Sequence, residues 1–479
     1  MNMPQLNRNV VEQGNLPAEL VRNVRFDLPE KILQFGEGNF LRGFFDWMVH
    51  RLNGSGRFHG SIVAVQPTPH GKVVPKLNAQ DGLYTLILRG LEEGKTVERR
   101  EIVSSIRRGV NPYTDWQEVL KAAENPDIQI VVSNTTEAGL VYVSEEYVPD
   151  RAPVSFPGKL TACLYHRYEK FEGSPDAGWF IIPCELVDHN GTVLKNIVLQ
   201  LCEDWKLPRG FREWAERHNH FCITLVDRIV TGFPSDEKEN LYEELGYEDM
   251  LLTVGEPYHL LVIDAPSELK RILPLHEAGL NVRWEPVEVY RELKVRILNG
   301  SHTLMCFPAL LSGIRTVREA MGDPKMGRWV TRAVEEEILP TLQADEDTKG
   351  TFARSVLERF QNPYVKHQLA DIALNSFSKF KARLLPTLKA YWHMKKALPS
   401  RIVFSLAALL VFYKADRREG DQFFRSLNGV EFQLRENVET LQRLFEVWSR
   451  QNPEEAVRSI LRSEALWGED LTRLEGLEE

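Results

Sequence analysis

The chain has 479 residues, 43% of them hydrophobic, and a formal net charge of −9. That length exceeds a single core and predicts two or more domains, while an acidic balance without a long basic run argues against a nucleic-acid partner. The five cysteines are scattered, odd in number and free of any C-x-x-C, which fits a reducing cytoplasm better than a disulfide framework.

The N-terminus, MNMPQLNRNVVEQGNLPAEL, lacks the apolar stretch of a signal peptide. From there to about residue 285, short apolar runs alternate with helical patterns. The runs at 31–35, 60–65, 84–90, 128–134, 178–184, 222–227 and 258–264 read as strands. Those at 39–52, 114–124 and 192–205 read as helices. This alternation predicts a mostly parallel sheet covered on both faces. After Pro286 the texture changes. Helical patterns at 287–311, 328–343, 351–361, 380–397, 401–416, 431–450 and 454–463 dominate, with no strand alternation evident. The expected organisation is therefore an α/β domain over 1–285 and an all-α domain over 286–479. The apolar run IVFSLAALLVFY (402–413) is too short to span a bilayer and reads as a buried helix.

KILQFGEGNFLRGFFDWMVHRL joins an apolar strand, Gly36-Glu37-Gly38 and an amphipathic helix. Gly36 permits a tight turn, Gly38 a close approach to a pyrophosphate, and the helix N-terminus offers free N–H groups. Leu41 stands where the third glycine of G-x-G-x-x-G belongs, so an ordinary strand-to-helix turn is the competing reading. Arg42 could meet a phosphate or be a solvated charge. The second strand ends at Gln66 instead of the acidic residue that holds a ribose in NAD sites. A glutamine can still bond a ribose, but it leaves NAD and NADP unresolved. Ser133, Thr135, Thr136 and Glu137 follow another strand, where they would line a cofactor or cap a helix.

Later in the chain, LKVRILNGSH (293–302) contains an Asn-Gly turn signal inside a helical run. On one continuous helix of about 100° per residue, His302 falls about 80° and Asn299 about 140° from Lys294. Val295, Leu298, Met305 and Cys306 fall in the same arc. A lysine on such an apolar face is partly desolvated and suited to general-base work. Asn299 could steady a carbonyl oxygen, and His302 could orient a hydroxyl. The bland alternative is a snorkelling lysine, a core histidine and a real turn. His218, His220 and Cys222 lie on one strand face, but with no second ligand cluster an ordinary half-buried strand is the better reading. Lys379, Lys381 and Arg383 form a basic cluster that is either a solvated face or a carboxylate site.

K-x-x-x-x-N-x-x-H, present as Lys294, Asn299 and His302, resembles the signature of the mannitol dehydrogenase family of polyol-specific long-chain dehydrogenases. FGEGNFLRG (35–43) is similar to that family's phosphate turn. QDGLYTLILRG (80–90), SNTTEAG (133–139), FPGKLTACLY (156–165), VDRIV (226–230) and the stretch 359–388 fall in the family's order, so the resemblance covers nearly the whole chain. The turn and PCELVDHNG look most like the members that interconvert D-tagaturonate and D-altronate. Leu41 and Phe44 stand where mannitol and fructuronate enzymes tend to carry histidines.

The resemblance implies a Rossmann-type first domain, a helical second domain, NAD as cofactor and no metal. It implies Lys294 as general acid/base with Asn299 and His302, and a small sugar-acid substrate held in part by Lys379 and Asn190. The cofactor contacts it implies are Ile32, Leu33, Gln34, Phe35, Gly36, Glu37, Gly38, Asn39, Phe40, Leu41, Arg42 and Gly43, with Gln66, Ser133, Thr135, Thr136 and Glu137. Two departures stand out. Leu186 follows Cys184-Glu185 where polyol enzymes carry a second asparagine, so Asn299 acts alone or with Asn190. Asp371 stands where similar polyol enzymes carry arginine. The rival readings are fructuronate/mannonate or mannitol/fructose chemistry and, in another class, a catalytically silent nucleotide-binding protein. The intact Lys294-Asn299-His302 set argues against the last. No membrane partner is expected, and the oligomeric state stays open.

Overall fold

The computed structural model describes residues 3–14 and 16–478. The chain forms two compact units, one of Met1–Arg89 with Thr96–Val287 and one of Gly90–Lys95 with Glu288–Glu479.

The first unit is built on a six-stranded sheet. Its strands are β1 (Glu30–Phe35), β2 (Ser61–Val65), β3 (Ile106–Val110), β4 (Ile130–Ser133), β5 (Phe180–Pro183) and β6 (His220–Phe221). They lie in the order β3-β2-β1-β4-β5-β6, and every pairing is parallel. This is the doubly wound order, in which the winding reverses between β1 and β4 and leaves a crevice at their carboxyl ends. Strands β2, β4 and β5 are apolar at nearly every position because both faces are covered. Ile32, Ile62, Ala64, Ile130 and Val132 pack into one core. Leu33, Phe35, Val63, Val65 and Val131 pack into the other.

Five helices carry the crossovers that matter for the site: α1 (Asn39–Arg42), α2 (Phe45–Gly54), α3 (Trp116–Ala123), α4 (Phe156–Lys170) and α5 (Asn190–Asp204). The expected single helix over 39–52 is thus two, broken at Phe44, whose φ of −134° and ψ of −87° leave the helical region. α4 starts where the Ser155 side chain accepts from Gly158 N, with a proline in its first turn.

The expected strands at 84–90, 222–227 and 258–264 do form, as Tyr84–Glu92, Ile223–Asp227 and Leu260–Asp264, but outside the parallel sheet. They belong to two smaller mixed sheets. The parallel sheet takes β3 and β6 instead. β3 reads IRRGV and β6 is two residues long, so neither carries a legible apolar run.

The second unit is mainly helical, with one correction to the all-α expectation. Arg417–Glu419, Gln422–Leu427 and Val430–Leu434 form an antiparallel meander where a helix had been expected to begin at 431. Leu427 pairs with Val430, leaving Asn428-Gly429 as a two-residue turn. Both turn residues have positive φ, 51° and 75°, as a type I′ hairpin requires. The helix Ser400–Phe412 is apolar along most of its length and largely buried. Among the described residues, no helix is long and apolar enough to cross a membrane.

That helix has no side-chain cap of its own. Its first N–H groups are taken by Glu337, which is 2% exposed and accepts from Arg401 N and Ile402 N, each at 3.0 Å, and from the Arg401 guanidinium at 3.0 Å. Replacing Glu337 by alanine strands those donors in the interior. We expect Glu337→Ala to cost about 1–3 kcal/mol of stability, read as a lower midpoint in thermal or urea unfolding. An unchanged midpoint would show that the cap is dispensable.

Candidate functional site

At the carboxyl end of β1 the chain turns through Gly36, with φ 120°. Gly36 N donates to Val65 O at 2.9 Å, and Asn134 N donates to Phe35 O at 3.1 Å. The ends of β1, β2 and β4 are thereby tied together. A Cβ on residue 36 would lie 2.7 Å from Asn134 O, whereas one on Gly38 would meet nothing within 4 Å. Open space therefore lies over Gly38, beside leading N–H groups of α1 that have no intrahelical acceptor. A pyrophosphate needs that combination. Gly38 and Asn39 are exposed and Phe40 is half-buried, stacked on Phe44 at 4.9 Å. The side chains of Ile32, Leu33, Phe35 and Leu41 are sheet and turn core, and Gln34 Nε2 donates to Gly36 O at 3.0 Å. Those five residues shape the turn, and their side chains face the interior.

Arg42 departs from the phosphate contact considered for it. It is 3% exposed and lies beneath the turn. Its guanidinium donates to Glu37 O, to Asn39 Oδ1 at 2.6 Å and to Thr253 Oγ1 at 3.3 Å. Tyr84 OH donates to Arg42 O at 2.7 Å. Arg42 thus braces the turn from inside. Burial pushes the Glu37 carboxyl up to about 7, with the Arg42 charge opposing. It pushes Asp46 up to about 7 as well, with the Gln34 amide and the Arg42 charge opposing. Gly43 packs against Val230, where a Cβ would come within 2.9 Å.

Gln66 ends β2. Its Nε2 donates to Thr68 O at 2.7 Å, and its Oε1 is a buried acceptor with no hydrogen-bond partner. At the end of β4, Ser133 Oγ donates to Glu185 Oε2 at 3.0 Å, and Thr135 N and Oγ1 donate to Glu185 Oε1 at 2.9 and 3.1 Å. Glu185 is 2% exposed and its carboxyl is raised by burial. It is the residue that sequence reasoning missed; the signal was the acid following Pro183-Cys184. Thr136 (φ 69°) and Glu137 are exposed beyond it. Open turn, exposed loop and orphaned acceptor together fit a dinucleotide at this edge of the sheet.

Asn190 is part of the framework. It is 1% exposed, and its side chain donates to Pro183 O, Glu185 O and Thr224 Oγ1 and accepts from Thr224 N and Gly191 N. Every polar atom is used internally, so the substrate contact expected of it is not available. His218, His220 and Cys222 gather no further ligands. Among the described residues, no group of three or more His, Cys, Asp or Glu side chains is placed to hold a metal ion. A cavity of about 860 Å³, lined by 112–118, 150–154, Glu145 and Glu146, contains none of the expected site residues.

In the second unit, 288–311 is continuous helix, so LKVRILNGSH is not a hairpin turn. Gly300 has φ −62° and ψ −47°, and a Cβ there would make only ordinary contacts at 3.5 Å or beyond. The geometry differs from the even α-helix expected. Lys294–Asn299 is a π turn between Glu288–Leu293 and Gly300–Leu311. A π turn closes i→i+5, so residues five apart stand one turn apart on the same side. Lys294 and Asn299 are that pair, where α geometry would have split them by about 140°. His302 follows three residues later, about 60° round from Asn299.

All three are half-buried, over buried Leu298, Met305 and Cys306. The His302 ring packs on Phe360 at 4.4 Å and His367 at 4.8 Å. Burial first, then His367, Arg359, Arg383 and Lys379, hold His302 well below the ordinary histidine range, so it is neutral at neutral pH. Arg383 Nη1 donates to Thr303 Oγ1 at 3.2 Å, and Lys379 Nζ donates to Ile372 O at 3.0 Å. Lys379 and Arg383 are both half-buried, while Lys381 and Asp371 are exposed. Arg359 completes this cationic surround, while burial lowers His367 below the ordinary histidine range; neither was singled out in the sequence.

Comparison with known proteins matches both units to one family. A family described as "Mannitol dehydrogenase Rossmann domain" matches residues 30–275, and "Mannitol dehydrogenase C-terminal domain" matches 286–479. A relative from Halalkalibacterium halodurans named altronate oxidoreductase is 47% identical over 475 residues, covering 98% of this chain and 92% of the relative. Relatives of the same name from Bacillus subtilis and Escherichia coli are 42% and 43% identical, covering 98% and 94% of this chain and 93% and 92% of their own. Among solved structures, a D-sorbitol dehydrogenase superposes with TM-score 0.79 at 23% identity, covering 99% of this chain and 96% of its own. Pseudomonas fluorescens mannitol 2-dehydrogenase, solved with NAD and D-mannitol, superposes with TM-score 0.67 at 21% identity, covering 99% and 94%. With a doubly wound first unit, a Lys-Asn-His helix in the second and family matches across both, the chain belongs to the mannitol dehydrogenase family of oxidoreductases acting on CH–OH groups.

Proposed function

We propose that the protein is an NAD-dependent oxidoreductase that interconverts D-tagaturonate and D-altronate. The observation that carries this reading is the π turn that puts Lys294 and Asn299 on one side of a helix, next to a neutral His302 ringed by Arg359, Lys379 and Arg383. A proton-transfer set alone would suit any polyol. The surrounding cations favour a substrate with a carboxylate, and the relatives at 42–47% identity are named altronate oxidoreductase.

Bound at the carboxyl edge of the sheet, NAD supplies the hydride acceptor. Gly36 and Gly38 let the backbone approach its pyrophosphate, and Gln66 Oε1 accepts from a ribose hydroxyl. An acceptor there pairs with a hydroxyl and repels phosphate oxygens, which favours NAD over its 2′-phosphorylated form. In oxidation, neutral Lys294 takes the hydroxyl proton as hydride leaves the same carbon. In reduction its ammonium returns the proton. Asn299 donates to the oxygen in both directions, and uncharged His302 hydrogen-bonds a neighbouring hydroxyl.

The deciding experiment is NADH consumption with tagaturonate, fructuronate and fructose. Highest kcat/KM for tagaturonate is expected, and preference for fructose would overturn the reading. NADH should be preferred over NADPH; comparable kcat/KM for the two would remove the argument from Gln66. Lys294→Ala should lose about 10²- to 10⁴-fold in kcat while still binding NADH, and its oxidation rate should no longer rise on a single ionisation. Near-normal turnover would make the segment an ordinary core helix. Lys379→Met and Arg383→Met should each raise the KM for tagaturonate by about tenfold or more, with the dissociation constant of NADH unchanged. An unaltered KM in both would place the carboxylate elsewhere.

A further inference from the structure

Lys159, in the first turn of α4, is completely buried. Its Nζ donates to Val154 O at 2.8 Å, to Pro67 O at 3.4 Å and to Ser155 O at 3.5 Å, and lies 4.9 Å from the Tyr113 ring centroid. These hydrogen bonds all go to backbone carbonyl oxygens. Tyr113 OH donates to the same Pro67 O at 2.9 Å. Pro67 is the residue after Gln66, and Gln66 closes the turn through its own bond to Thr68 O. Two donors from two different segments therefore converge on the carbonyl of Pro67, inside the 66–68 turn that the Gln66 side chain closes. An apolar side chain would fill the volume without the desolvation that a buried ammonium carries. A lysine there serves what it grips.

We propose that Lys159 is a positioning residue for the dinucleotide, acting through the Pro67 carbonyl to hold Gln66 against the cofactor ribose. The inference rests on the proposed reading that a dinucleotide binds at this edge of the sheet. The titratable groups around Lys159 are Tyr113, Glu145 and Cys163. Burial raises the Tyr113 hydroxyl and the Cys163 thiol, so both keep their protons as the medium turns alkaline. Burial brings the Lys159 ammonium down to about 8, with the Glu145 charge opposing. Above about pH 8 the amine is neutral, has one proton fewer to donate and binds carbonyl oxygens more weakly. Grip on the turn is then weakened. Between about pH 8 and the ordinary lysine value, the unfolded chain holds more protons than the folded one, so this group's contribution makes stability rise with pH.

The test measures NADH dissociation constants by fluorescence from about pH 7 to about pH 9.5, together with steady-state kinetics and thermal midpoints. Wild type should bind more weakly as pH rises through about 8. Lys159→Met should bind on the order of tenfold more weakly at pH 7, show no such step, and change the KM for NADH far more than kcat. In a Gln66→Ala background the same substitution should have a clearly smaller effect, since the two act in series. Tyr113→Phe removes the other donor to Pro67 and leaves Lys159 in place, so it keeps the test readable if Lys159→Met does not fold; it too should weaken NADH binding. Wild-type affinity and pH profile in Lys159→Met, additive effects with Gln66→Ala, or unchanged binding in Tyr113→Phe would each overturn the inference. Failure of the wild-type protein to bind NADH at all would instead overturn the proposed function.

Discussion

The first unit is organised around a single close approach. Parallel strands β1 and β4 lie side by side and deliver two loops to the same edge, and at that edge a Cβ on residue 36 would collide with Asn134 O at 2.7 Å. Only glycine meets both this distance and a φ of 120°. From that contact follow the open ground above Gly38, the register of Asn134 against Phe35 and the position of the loop that Glu185 holds. The winding reversal of a doubly wound sheet makes the crevice; the missing side chain at 36 keeps it from being filled.

In the second unit the corresponding device is a change of helical pitch. Lys294 and Asn299 are five residues apart, a spacing that an α-helix throws onto different sides and a π turn brings together. A second π turn, Val334–Ile338, presents Glu337 to the start of the helix at Ser400. In both places the irregular turn puts a polar group where regular geometry would have aimed it elsewhere, and the chain on either side stays helical.

The buried cations of the first unit share one solution. Arg42 bonds Glu37 O, Arg228 bonds Glu256 O and Gly43 O at 2.8 Å each, Arg167 bonds Ala177 O and Ala123 O at 2.6 Å each, and Lys159 bonds Val154 O and Pro67 O. Each takes up carbonyl oxygens at chain turns or helix ends that have no partner in the regular ladders. Arg228 and Arg167 also lie over Trp47 and Trp179, with centroids at 4.3 and 5.0 Å. Backbone acceptors fix loops without adding further carboxylates that would repel a phosphate; Arg42 holds the turn after β1 and Lys159 the turn after β2.

Much of this was legible from the sequence. The apolar runs of β1, β2, β4 and β5, the glycine turn and the Lys-Asn-His spacing are local patterns, and local pattern follows from burial on both faces of a sheet or along one helix. Strands such as IRRGV and His220-Phe221 were not legible, because their place comes from neighbours in the sheet and not from their own composition. The Asn-Gly at 428 makes a hairpin while the Asn-Gly at 299 lies inside a helix. The dipeptide is the same, and the packing of the chain around it decides which conformation it adopts. Which residue types the candidate site offers was written in the sequence. Which way they face was decided only in three dimensions. Arg42 turned inward, Asn190 was consumed by the framework, and Lys294 came into line with Asn299, because buried polar groups must find partners and a helix can change pitch to supply them.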